Sequence, residues 1–140
     1  MKPVPYTRDR LVEELRRHDI NPTHQRLEIA HALFSRGAHL SADQVLAIVN
    51  GRHPETSKAT VYNTLKLFLE KRLIREVIVD PSKVFYDPNT APHHHFYNVG
   101  TGELADIDAA PVEVHGLPAL PEGMVTEGVD IIVRIRSAPA

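Results

Sequence analysis

The chain has 140 residues, with 16 Lys/Arg, 18 Asp/Glu, nine histidines and no cysteine, for a formal net charge of −2 at neutral pH. Without a thiol it forms no disulfide, iron–sulfur cluster, thiolate zinc site or cysteine nucleophile. No apolar run approaches a membrane span, and Met1-Lys2-Pro3-Val4-Pro5 lacks the apolar stretch of a secretion signal, so no membrane partner and a cytoplasmic location are expected. The small net charge conceals a segregation. Residues 1–75 carry 13 Lys/Arg against 8 Asp/Glu, a balance of +5, and residues 76–140 carry 3 against 10, a balance of −7. A basic half suits a polyanion and an acidic half suits a cation. Two small halves would each be marginal alone and would gain from dimerisation.

In chain order, Thr7 caps a predicted helix with Leu11, Val12 and Leu15 at helical spacing, ending near Asp19. Asn21-Pro22 breaks the chain, and Thr23 caps a second helix whose stripe is Leu27, Ala30, Leu33 and Phe34, stopped by Gly37. Ser41 caps a third helix with Val45, Ile48 and Val49 inward, closed by Asn50-Gly51. Ser57 caps a fourth, Lys58 to about Lys71, with Val61, Leu65, Phe68 and Leu69 on one face. Leu73–Val79 and Lys83–Asp87 read as two strands around an Asp80-Pro81-Ser82 turn. Helices followed by a hairpin make a winged helix-turn-helix, whose last helix enters the major groove.

The segment Asp87–Pro92 reads as a linker, and strands are predicted at His93–Val99, Leu104–Ile107 and Val129–Arg136. Between the last two lies Pro111–Gly128, rich in Pro and Gly and without a clear element. The expected architecture is α+β: a winged-helix DNA-binding domain over 1–87, a hinge over 88–92, and a small α/β dimerisation and metal-sensing domain over 93–140.

Two features carry chemistry. On the fourth helix, Thr60, Tyr62, Asn63 and Lys66 lie off the apolar stripe, and these residue types suit base edges, phosphates and thymine methyls. The same face also reads as an ordinary solvated one. The second feature is His93-His94-His95. On a strand, side chains alternate, so His93 and His95 share a face as half of a chelating site while His94 points the other way. Glu113 and His115 are candidate partners for His94. His18, His24, His31 and His53 read as ordinary surface or core histidines.

Ala59-Thr60-Val61-Tyr62-Asn63-Thr64-Leu65 resembles the recognition helix of the ferric uptake regulator family. Thr23-His24-Gln25-Arg26 resembles that family's Thr-x-x-Arg, His39-Leu40-Ser41-Ala42-Asp43 its His-x-Ser-Ala-Glu/Asp, and the histidine triplet stands where it has His-x-His. The resemblance runs from residue 8 to about residue 108. Lys83–Asp87, the full triplet with Phe96-Tyr97, Gly102–Ile107 and Leu117–Gly123 look most like the iron response regulator (Irr) branch.

Carried over position by position, the resemblance implies a regulatory metal site of His39, Asp87, His93, His95 and Asp106, similar to that of the peroxide-sensing branch. Imidazole and carboxylate ligands without sulfur suit Mn²⁺ or Fe²⁺, with Zn²⁺ as a competitor. Each ligand alone has an ordinary explanation: His39 at a helix start, Asp87 as a turn residue before Pro88, Asp106 as a solvated strand residue. The family's structural Cys₄ zinc is not expected, because Asn98 and Thr101 replace the first cysteine pair and there is no second. Asn21 replaces a basic residue near Thr-x-x-Arg, which leaves Arg26 as the phosphate contact there. The Irr likeness implies haem at the triplet, with His94 as an axial ligand; His94 equally reads as a solvent-exposed histidine.

The leading expectation is therefore a homodimeric, metal-responsive (Fe/Mn) transcriptional regulator of iron/haem homeostasis or peroxide response. It would bind an inverted-repeat operator in double-stranded DNA through Arg26, Thr60, Tyr62, Asn63 and Lys66. The alternatives are an Irr-type regulator whose DNA binding is lost on binding haem, a metal-dependent hydrolase, and a metal-buffering or interaction module.

Overall fold

The computed structural model describes residues 6–35, 39–107 and 112–139. The chain parts into two compact units, Met1–Thr90 and Ala91–Ala140. The first is built from α1 (Arg8–Arg17), α2 (His24–Phe34), α3 (Ala42–Arg52) and α4 (Lys58–Glu70), followed by β1 (Arg75–Asp80) and β2 (Lys83–Asp87).

Each helix starts where its sequence supplies a cap. Thr7, Thr23, Ser41 and Ser57 are extended at the N-cap and accept from the backbone N–H of Arg10, Arg26, Gln44 and Thr60. Such a cap contributes about 1 kcal/mol. At Ser41 the box is complete, because the Gln44 side chain returns to the Ser41 N–H at 2.8 Å. The core forms from one face of each helix, with Leu15, Ile29, Leu33, Val45, Val61 and Phe68 at 0–1% exposure.

The helix ends differ from expectation in instructive ways. α2 ends at Phe34, and the expected Gly37 stop lies outside the described residues. α3 runs through Asn50-Gly51 to Arg52. Its stop is Pro54, which disfavours helical geometry at the residue before it, and His53 is accordingly extended at φ −134, ψ 79. After α4, Arg72 takes a left-handed φ of 60, and the Leu73 N–H closes back on the Phe68 carbonyl at 2.9 Å. Leu73 and Ile74 therefore belong to the buried helix-closing turn, and β1 begins later, at Arg75.

The hairpin is antiparallel, with Val77 opposite Phe85 and Arg75 opposite Asp87. At its turn, Ser82 donates from its N–H (2.8 Å) and its hydroxyl (2.7 Å) to Asp80 Oδ1. The bond from the Ser82 side chain is the main reason the Asp80 carboxyl sits below its ordinary range.

The second unit is a three-stranded sheet of β3 (His94–Asn98), β4 (Leu104–Ile107) and β5 (Ile132–Ile135), in the order β4-β3-β5. β3 is antiparallel to β4 and parallel to β5. Among the described residues this unit contains strands and no helix. The predicted Val129–Arg136 strand shortens to four residues because β5 is paired only along the five-residue β3. At the positions where the resemblance would place a first cysteine pair, Asn98 Oδ1 accepts from the backbone N–H of Gly100 (2.9 Å) and Thr101 (3.1 Å). The β3–β4 turn is thus closed by a side-chain amide.

Candidate metal centre and nucleic-acid interface

The first unit contributes a buried pair. An isolated antiparallel bridge joins Leu40 to Tyr86, with the Tyr86 N–H donating to the Leu40 carbonyl at 2.8 Å. That bridge sets His39, the next residue out, beside Asp87. His39 Nε2 lies 2.9 Å from Asp87 Oδ2, and their side chains are 8% and 2% exposed. Asp87 Oδ1 accepts from the Asn89 N–H at 2.9 Å, so the turn that follows β2 holds this carboxylate. A buried carboxylate is costly unless paired and hydrogen-bonded; His39 lies within ion-pair distance and the Asn89 N–H supplies a hydrogen bond.

The second unit contributes a triad. His93 and His95 lie on the buried side of β3 and its approach, while His94 and Phe96 lie on the other. Asp106 is directly across from His95 on β4. Both Nε2 atoms turn to the same oxygen: Asp106 Oδ1 is 3.0 Å from His93 and 3.2 Å from His95. The rings lie 4.5 Å apart and are tilted by 59°.

Tautomer logic makes this triad a candidate metal-ligand set. His93 Nδ1 lies 2.7 Å from the Ala91 carbonyl, which only accepts, so Nδ1 carries the proton. In the neutral ring Nε2 then presents a lone pair beside a carboxylate oxygen, an arrangement that a metal cation between them would satisfy. Ligands about 2.1 Å from a first-row ion sit roughly 3–3.5 Å apart, close to the separations found here. The ring nitrogen held by a carbonyl while the other faces the ion is the usual second-shell device. The residues fit Mn²⁺ or Fe²⁺, and Zn²⁺ as well.

His94 does not gather the partners expected of a second site. Its Nδ1 accepts from the Ile131 N–H at 3.1 Å, which ties it to the segment before β5. Glu113 and His115 instead pair with each other at 3.0 Å, both well exposed. Among the described residues, no cluster of three donor side chains includes any of them. By contrast, His24, Glu28 and His53 come together, although the sequence reading assigned the two histidines no role. The His24–Glu28 spacing of one helical turn was the visible signal, but the third member sits at the end of another helix.

The DNA-facing candidates lie on and beside α4. Thr23, Arg26, Thr60 and Asn63 border one open groove between the start of α2 and α4. Arg26 donates to the Asn21 carbonyl at 2.9 Å. Tyr62 is 41% exposed, and its hydroxyl donates to Asp43 at 3.3 Å. The Thr60 hydroxyl is engaged locally with Ser57 at 2.9 Å, whereas Asn63 and Lys66 are exposed alongside Tyr62.

Comparison with known proteins decides the lineage. The sequence profile of the ferric uptake regulator family matches residues 17–132. The chain belongs to the ferric uptake regulator family. Among individual relatives, the peroxide operon regulator of Bacillus subtilis (strain 168) is 32% identical over 95 residues, spanning 68% of this chain and 66% of that protein. The match thus covers slightly less than two thirds of that relative's length. The Helicobacter pylori ferric uptake regulator superposes with a TM-score of 0.65 at 18% identity, over 96% of this chain and 95% of that one. A zinc-bound manganese uptake regulator gives 0.68 at 20% identity, over 91% and 98%. At those identities the solved structures speak for the fold. The Bacillus relative is named for a peroxide operon, and neither the iron response regulator branch nor haem finds support in these likenesses.

Proposed function

We propose that this family member is a homodimeric, metal-responsive transcriptional regulator acting in the cytoplasm, with 1–87 binding DNA, 88–92 as hinge and 93–140 as dimerisation and sensing domain. In this reading His39 and Asp87 join His93, His95 and Asp106 around one Mn²⁺ or Fe²⁺ ion per chain. The observation that carries it is the convergence of two imidazoles on one oxygen of Asp106, beside a chain whose family is one of regulators. It is read as a regulator and not as a hydrolase on the same family ground.

The ion supplies a link among ligands and, if it is Fe²⁺, reactivity toward peroxide. The protein's own residues do the rest. The Ala91 carbonyl holds the His93 ring in its ligating tautomer, and the Asn89 N–H holds Asp87. Ligands drawn from both sides of the 88–92 hinge let metal affinity favour one arrangement of the recognition helices over another. α4 enters the major groove, where Asn63 and Tyr62 read bases, while Arg26, Thr60 and Lys66 position the backbone.

Dimerisation is supported by the apolar side chains that the second unit leaves exposed. Val133 and Ile135 on β5 are 39% and 40% exposed, and Leu117, Leu120 and Val125 lie open in the segment before it. Covering such surface contributes about 25 cal/mol per Å².

Operator binding measured by fluorescence anisotropy for metal-free and Mn²⁺-loaded protein tests the reading. Metal is expected to change the affinity for specific DNA over scrambled DNA, and a His95→Ala variant to lose that dependence. Identical binding with and without metal overturns the sensor, and no preference for any inverted-repeat duplex overturns the regulator.

A further inference from the structure

We infer that His24, Glu28 and His53 form a second metal site, one for a divalent cation of the zinc class, within the helical unit. One ligand atom from each lies within 4.8 Å of the others. His24 and Glu28 are one turn apart on the first half of α2, so both project from the same face. His53 is the C-cap of α3, and its N–H is fixed to the Val49 carbonyl at 2.8 Å.

The polar contacts of the cluster are spaced as ligands around a single ion are. His53 Nε2 lies 3.5 Å from Glu28 Oε2, close to the spacing two ligands keep around tetrahedral zinc, roughly 3.3 Å. On the ring's other side, His53 Nδ1 lies 3.6 Å from Glu55 Oε1. With a cation at Nε2, the ring proton would lie on Nδ1 and face Glu55, the carboxylate–histidine–metal arrangement of second-shell design. The His24 ring meets the His53 ring edge-on, with centroids 4.9 Å apart. Arg52 Nη1 is the competing cation, but it lies 4.0 Å from Glu28 Oε2 on a side chain that is 65% exposed. A divalent ion displaces so long and solvated a contact readily.

Two imidazoles and one carboxylate leave room for water and favour Zn²⁺ over Mn²⁺ by the general affinity order of such sites. His24 also borders the groove shared by Arg26 and Asn63. An ion held here pins the first turn of α2 to the end of α3 and places positive charge beside the DNA-facing surface.

The test uses the full chain and Zn²⁺ alone. Zinc is titrated while the ring proton signals of His24 and His53 are followed by NMR, and bound metal is counted after equilibrium dialysis. Both ring signals are expected to shift together. Glu28→Gln is expected to weaken this binding step about 100-fold or more, and Glu55→Gln about tenfold, with the other bound zinc unchanged. Ring signals of His24 and His53 that stay put while zinc saturates elsewhere overturn the site, as does an unaltered zinc count in Glu28→Gln. Should a variant fold poorly, the NMR titration of the unsubstituted protein decides by itself.

Discussion

Asp106→Asn isolates the charge at the candidate sensing centre while keeping the side chain's size. Asp106 Oδ1 faces both His93 and His95 Nε2 at 3.0 and 3.2 Å, so the substitution removes the one anionic ligand of the triad. The side chain is 44% exposed, so without metal the loss in stability should stay within about 1 kcal/mol. With metal the difference is larger. At a Mn²⁺ concentration 100 times the unsubstituted protein's Kd, binding stabilises the native state by about 2.7 kcal/mol. If the loss of this ligand weakens binding about 100-fold, the variant sits near its own Kd and gains only about 0.4 kcal/mol. Thermal melts of both proteins, metal-free and loaded, measure the gap of roughly 2.3 kcal/mol as a lost metal-induced rise in Tm. An equal Mn²⁺-induced rise in the two proteins refutes Asp106 as a ligand. A large fall in the metal-free Tm instead refutes the argument that its contacts are mostly solvent-screened.

Further outcomes follow from other parts of the molecule. Phe68→Ala empties a fully buried position in the helical core and should cost about 3–5 kcal/mol in denaturant unfolding. Asn98→Ala leaves the exposed Gly100 and Thr101 N–H groups to water in place of their amide acceptor and should cost about 0.5–1.5 kcal/mol, read as faster amide exchange at the β3–β4 turn. On DNA, Asn63→Ala should lower specific binding by about 1–3 kcal/mol, whereas Lys66→Ala should weaken all sequences alike and reduce the salt slope by about one. The Asp80 carboxyl should titrate below 3.8 by NMR, and Ser82→Ala should move it back up. Because that pKa is depressed on folding, the bond's contribution is present above the ordinary value and fades as pH falls through the folded one.

Much of this was legible in local sequence, because caps and periodicity act over a few residues. Thr7, Thr23, Ser41 and Ser57 each start the helix expected of them. Alternation along a strand separates His93 and His95 from His94, and burial divides them the same way. The third helix runs past Asn50-Gly51 for a local reason too: an exposed glycine weakens a helix by only about 1 kcal/mol, whereas Pro54 constrains the residue before it.

The sequence by itself determined that the first half is helical with a hairpin, that no cysteine serves as a metal ligand, and that two of three adjacent histidines share a face. Tertiary structure alone decided which distant side chains meet. The single Leu40–Tyr86 bridge sets His39 beside Asp87, and the β3–β4 register sets Asp106 opposite His95. The end of α3 carries His53 to Glu28, and the β3–β4 turn gives Asn98 its role. Helix and strand periods are properties of neighbouring residues, whereas these encounters depend on where loops return the chain, which no local pattern encodes.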